Sequence, residues 1–269
     1  MVKKRFKTAP ERKRYRELMR AADHKDPKRR AAALEALWSH PCEGTLSVLL
    51  NALHRDPDHR AQAAAAQALG RYVWSGMQMD ESLDEKFGVF DDVTHANVLN
   101  VVRNLTEVWQ DTTRDMSVRY AAFDALAWDP PEPILEAIEQ LWKGVGLEGR
   151  RHALRAMGRS GRPEYRPRIR QVIVDRDPDL ILHALEAACL NAGDELEDEL
   201  LAMTEDAEAE ILGAALIALG SAGYSERTRK HLRNMRRHED PVVREAANQA
   251  LAEFEAMDGP IPTMSKTVG

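Results

Sequence analysis

The chain has 269 residues, of which 30% are charged, 43% hydrophobic and 6% aromatic, and its formal charge is −6. That balance excludes a largely disordered chain and a collagen-like one, and no apolar run approaches the roughly 18 residues that a membrane span needs. The N-terminal stretch MVKKRFKTAPERKRYRELM lacks the apolar core of a secretory signal, and two cysteines, Cys42 and Cys189, make no disulfide framework, so a reducing cytoplasm is expected.

An Ala-Leu-like pair closes a short helical pattern seven times: Ala36-Leu37, Ala68-Leu69, Ala125-Leu126, Ala156-Met157, Ala187-Ala188, Ala218-Leu219 and Ala250-Leu251. The second residues of these anchors are 32, 57, 31, 31, 31 and 32 apart, and the 57 equals one period of 31 plus 26 extra residues. Seven units with one insertion therefore account for nearly the whole chain. In chain order the helix pairs are 10–24 with 27–39, 43–54 with 58–70, 94–110 with 116–127, 131–143 with 147–158, 163–174 with 178–190, 195–203 with 208–220, and 225–237 with 241–256. First helices carry bulky stripes at three- and four-residue spacing, such as Leu46, Leu49, Leu50 and Leu53 or Val98, Val101, Val102 and Leu105. Second helices are alanine-rich, which favours helix and close approach.

Two further columns keep the register. Eleven residues before each anchor stand Asp26, Asp58, Asp115, Gly146, Asp177, Glu208 and Asp240, where a carboxylate can accept from the free N–H groups of a helix start. Seven before it stand Arg30, Gln62, Arg119, Arg150, Ile181, Leu212 and Arg244. Arginine four residues after the acid suggests a ladder of charge pairs within and between units. The expected fold is all-α: an alpha-alpha superhelix of about seven pairs forming a single solenoid over 10–256, with a basic flexible segment at 1–9, a flexible tail at 257–269 and a loop inserted at about 71–94.

The run Asp240-Pro241 through Arg244, Ala246, Ala247, Ala250 and Leu251 resembles the HEAT-like repeats, and the short period near 31 is similar to the version named for phycobilisome lyases. The resemblance implies the superhelix but several possible activities, since similar repeats occur in chromophore lyase subunits, in an iron-dependent hydroxylase and in many bacterial scaffold proteins. The hydroxylase carries repeated His-Glu pairs, whereas this chain has only His238-Glu239 in that form. Lyases of that kind hold a tetrapyrrole and a protein subunit in the curve of the solenoid; no residue here carries over to that role. DNA-repair glycosylases with a helical-repeat arc would need a basic concave face with an exposed aromatic, for which Trp109, Trp128 and Trp142 are the candidates.

No H-E-x-x-H, paired Cys/His arrangement, Gly-rich phosphate loop or nucleophile elbow is present, so no catalytic residue, metal ligand or cofactor is assigned. Charge is uneven. Residues 1–30 hold 13 basic and 4 acidic side chains, which leaves −15 on the remainder. Such an arm either meets an anionic partner or caps the first repeat as a solvated helix. The stretch 194–210 holds nine acids and no base, while 150–170 holds eight arginines, of which Arg151, Arg155 and Arg159 follow helical spacing. The insertion offers Trp74, Phe87, Phe90, Asp91 and Asp92 either to a partner or to its own unit.

The function these features point to is a protein-binding scaffold or adaptor that engages a protein or peptide through its second helices. Its candidate surface is Tyr120, Asp124, His152, Arg155, His183, Glu186, Asn248 and Gln249. The alternatives are a subunit of an enzyme acting on a protein-bound substrate, like the bilin lyases, and a nucleic-acid-binding repeat protein.

Overall fold

A computed structural model of the chain describes residues 8–76, 93–191, 194–205, 208–222 and 225–257. Among these residues the helices follow one another as seven pairs, each first helix being answered by a second. Chain contacts gather into two compact units, Met1–Gln140 and Leu141–Gly269, with the boundary inside α7 (Glu132–Lys143).

The first unit contains α1 (Ala9–Ala21), α2 (Pro27–Ala36), α3 (Glu43–Arg55), α4 (His59–Gly76), α5 (His95–Gln110) and α6 (Met116–Leu126). Its second helices pack in series, α2 on α4 and α4 on α6, while α3 and α5 lie against α4 and α6. The bulky stripes predicted for first helices face inward: Leu46, Leu49 and Leu53 of α3, and Val98, Val101, Leu105 and Val108 of α5 are buried. Each fully buried leucine of this kind contributes about 1.5–3 kcal/mol. Across from them α4 buries Ala61, Ala64, Ala65, Ala66 and Ala68. The second unit repeats the plan with α8 (Leu147–Arg159), α9 (Arg166–Asp175), α10 (Ile181–Asn191), α11 (Glu197–Met203), α12 (Ala209–Ala222), α13 (Glu226–Met235) and α14 (Pro241–Met257). Here α8, α10, α12 and α14 pack in series.

The insertion begins later than its register implies. Tyr72 and Val73 continue the buried stripe of Ala65, Ala68 and Leu69, so α4 runs on to Gly76 and residues 71–76 are helix rather than loop. Tyr72 is a core residue whose hydroxyl accepts from the Cys42 N–H at 3.1 Å and donates to the Cys42 carbonyl at 3.0 Å.

The acidic column sits at helix starts. Asp26 accepts from the Lys28 N–H, Asp58 from Arg60, Asp115 from Ser117, Asp177 from Asp179 and Asp240 from Val242, at 2.7–3.0 Å. The arginine column does something other than pair with those acids. Arg30 donates to the carbonyls of His24 and Lys25, Arg244 to those of His238 and Glu239, and Gln62 to that of Asp56, all in the turn just before the helix. Arg119 reaches the Trp109 carbonyl at 2.9 Å, and Arg150 lies over the Trp142 ring at 5.0 Å. Within this column one pair between neighbouring repeats does form: Arg30 grips Asp56 through two bonds of 2.7 and 2.8 Å, with side chains only 13% and 7% exposed.

Glycine follows the anchor in alternate repeats, at Gly70, Gly158 and Gly220, and there the neighbouring backbone approaches closely. A Cβ on Gly158 would stand 2.6 Å from the Ala187 Cα, one on Gly220 2.5 Å from the Ala250 carbonyl oxygen, and one on Gly70 3.2 Å from the Ala125 Cα.

Candidate functional site

Counting from each anchor, second-helix residues at positions −6, −2 and +2 form three rows that cross the second unit. The rows read Arg151, Arg155 and Arg159 on α8; Leu182, Glu186 and Leu190 on α10; Gly213, Ile217 and Ser221 on α12; and Glu245, Gln249 and Glu253 on α14. All except Gly213 reach solvent at least partly, and Leu190 is 47% exposed. The rows exist because every second helix meets its neighbours through small residues on one side. The opposite four-residue stripe is thereby left outward.

At the α8 end the polar groups hold one another. Arg155 donates to His152 Nδ1 at 3.3 Å, and His152 Nε2 faces Glu148 at 3.4 Å, so the ring links a cation and a carboxylate along one helix. Arg151 lies 3.7 Å from Glu148 and 4.0 Å from Asp179. His183 stands in the next repeat, where burial and then the Arg155 charge push its pKa below the ordinary value. Toward α14, Ser221 and Gln249 donate to Glu253 at 3.2 and 3.1 Å. Burial and then the charges of Glu253 and Glu186 push the Cys189 thiol up to about 12.

The candidates from the sequence therefore divide. His152, Arg155, His183 and Glu186 come together on α8 and α10, although His152 is only 9% exposed and acts as a spacer. Gln249 lies on the rows, and Asn248 beside it accepts from Arg236 at 2.8 Å. Asp124 is withdrawn from the surface: α6 is enclosed from Ala121 to Leu126, and Asp124 is 4% exposed. Tyr120 is half-buried with its ring 6.1 Å from that of Trp109, which in turn packs on Phe123 at 4.9 Å. Trp74 is half-buried beneath Arg71 at 4.2 Å. Phe87, Phe90, Asp91 and Asp92 lie outside the described residues. Glu245, Glu253, Leu190 and Ile217 escaped the sequence reading, though their offset from the anchors would have found them.

The arginine-rich and acid-rich stretches meet at two points, and a third acid meets an arginine further along. Between first helices one repeat apart, or the turn just before them, Arg166 pairs with Glu195 at 3.2 Å, Arg170 with Glu199, and Asp198 with Arg227 at 2.5 Å. Glu197 accepts from the Ser225 and Thr228 hydroxyls. In the first unit an open cleft of about 590 Å³ between α1 and α3 is lined by Met19, Val48, Asn51 and Arg55, with the Arg30–Asp56 pair among its lining residues. Among the described residues no group of three or more His, Cys, Asp and Glu is placed to hold a metal ion. His238 instead accepts from the Asp240 N–H at 3.1 Å, as His24 does from Asp26 at 3.0 Å. No described helix is long and apolar enough to cross a membrane.

No curated protein matches the chain. Among solved structures, a human deoxyhypusine hydroxylase in complex with glycerol is 17% identical over 92% of this chain and 99% of its own, with a TM-score of 0.37. An engineered protein is 18% identical over 90% and 96%, with a TM-score of 0.35. A designed armadillo repeat protein is 16% identical over 88% and 98%, with a TM-score of 0.34. The family profile described as HEAT repeats matches residues 15–84 and 174–252. With the paired helices, the acid-capped second helices and that match, the chain belongs to the HEAT repeat family.

Proposed function

We propose that this protein is a binding scaffold that holds a protein or peptide segment along the second helices of its second unit. The observation that supports it is the set of three solvent-reaching rows on four serially packed helices. A surface that repeats at helix spacing matches the repeating backbone of an extended chain better than it matches a compact small molecule. Its rows mix charge with exposed apolar groups, as binding surfaces do.

Affinity capture from the native host tests this. The chain, an Arg155→Glu/Glu186→Lys variant on the rows, and an Arg227→Glu variant on a first helix would be compared. Loss of the captured protein in the first variant alone supports the reading; equal capture by all three refutes it. Replacement of residues 77–92 by a short linker tests whether the insertion adds to the contact.

A second reading, an enzyme subunit acting on a protein-bound substrate, rests on the 31-residue period that resembles the phycobilisome-lyase repeat. A coloured protein on purification from its host, with an absorbance band above 500 nm, would favour it. The paired state of Arg166, Arg170 and Arg227 argues against the nucleic-acid alternative, because these cations already face carboxylates.

A further inference from the structure

We infer that the segment held on these rows has segregated charge: acidic where it crosses α8, mainly apolar over α10 and α12, and basic where it crosses α14. This rests on the binding reading above and adds the chemistry of the partner. Helix α8 places Arg151 and Arg159 on the two rows that α14 fills with Glu245 and Glu253, with Arg155 on the row between them. Between the two helices the rows carry exposed Leu190 and half-buried Leu182 and Ile217, with Glu186 as the one charged side chain on the α10 and α12 rows. Neither Glu245 nor Glu253 forms an ion pair with a cation among the described residues; Glu253 accepts only uncharged donors. The acidic end is thus open to a cation, and a guanidinium fork at the basic end has donors enough to add a carboxylate to its present contacts.

The apolar middle gives the arrangement its order. A uniformly basic segment would meet arginine at one end, and a uniformly acidic one would meet glutamate at the other. Only a segment with opposite ends satisfies both, and its direction along the rows is then fixed. Three steps of about 8–10 Å between packed helix axes span about 25–30 Å, which an extended chain of about eight or nine residues covers.

Two labelled nine-residue peptides of equal composition test the inference. One has three glutamates, then alanine and two leucines, then three lysines. The other alternates glutamate and lysine around the same apolar residues. Fluorescence anisotropy at low salt should show the segregated peptide binding at least tenfold more tightly, with the difference shrinking as salt rises. Arg155→Gln and Glu253→Gln, each confirmed helical by circular dichroism, should each weaken it at least threefold. A photo-crosslinker at the acidic end should label α8, and one at the basic end α14. Equal binding of the two peptides, binding by neither, or both ends labelling one helix overturns the inference. If it falls while capture from the host still depends on Arg155 and Glu186, the scaffold reading stands alone; if capture is also indifferent to them, both fall.

Discussion

Gly220→Ala, set against Gly213→Ala in the same helix, tests the packing argument directly. A Cβ at position 220 would lie 2.5 Å from the Ala250 oxygen and 2.6 Å from its Cα, and both contacts are backbone. Carbon atoms rest at about 3.5–4.0 Å, so α14 must retreat by roughly 1 Å along its contact with α12. Overpacking of that kind costs about 1–3 kcal/mol. Replacing glycine by alanine inside a helix returns up to about 1 kcal/mol, and less in a last turn. The expected net loss is about 1–2 kcal/mol. At position 213 the new Cβ would meet the Ala246 Cβ at 3.6 Å, an ordinary contact, so Gly213→Ala should gain about 0.5–1 kcal/mol from propensity alone. With a urea slope of about 2 kcal/mol/M, the two midpoints should differ by about 1 M. Urea titration followed by helical circular dichroism reads this out. A Gly220→Ala midpoint equal to or above that of the parent would refute the close-approach account.

Further outcomes follow from groups described above. Arg30→Ala should cost about 3 kcal/mol because it strands the nearly buried Asp56, with Arg30→Lys intermediate; chemical denaturation measures both. Arg176 caps α9 at φ 52°, and Arg176→Gly should raise stability by up to about 1 kcal/mol by relieving a left-handed non-glycine residue; an unchanged or lowered midpoint counts against that strain. With its pKa near 12, the Cys189 thiol should react with Ellman's reagent at pH 8 far more slowly than a free thiol, and quickly once the chain is unfolded. Burial lowers the pKa values of His183 and His231. The unfolded chain then binds more protons than the folded one, so stability should be full above the ordinary value of 6.5 and fall as pH drops through it. Asp58 and Asp115, held below the usual carboxylate range by Arg60 and Ser117, add a second decline below about pH 4. Thermal melts across pH 3–8 should show both declines, and a flat profile between pH 5 and 7 contradicts the histidine part.

The helix pairs were legible because the anchors recur on a period that one helix pair imposes. Helix starts were legible because Asp26, Asp58, Asp115 and Asp240 lie where first-turn N–H groups need acceptors. The role of the arginine column was not. Spacing alone joins Arg30 to Asp26, but that carboxylate is engaged by the backbone, and a helical side chain leans toward the N-terminus. The guanidinium therefore meets the turn carbonyls. The start of the insertion was misread because repeat arithmetic ends α4 at its anchor, whereas Tyr72 and Val73 still have a core to enter. For the binding rows, Arg155 and Glu186 were legible one helix at a time. Their continuation to Glu245 and Glu253 follows from the same offset to the anchors, but that this offset is the outward stripe depends on how the small residues pack in the stack.

The alternation of Gly70, Gly158 and Gly220 bears on how the stack comes apart. Neighbour coupling in a repeat array need not be uniform. In the second unit the glycine contacts join α8 to α10 and α12 to α14, whereas Cys189 carries a side chain at the corresponding place on α10, so the α10–α12 seam is expected to be the looser joint. Under mechanical tension or in native-state hydrogen exchange, repeats should be lost two at a time, with α11 to α14 released as one cooperative block. The folding quantum of this protein is then about 62 residues, twice the 31-residue period written in its sequence.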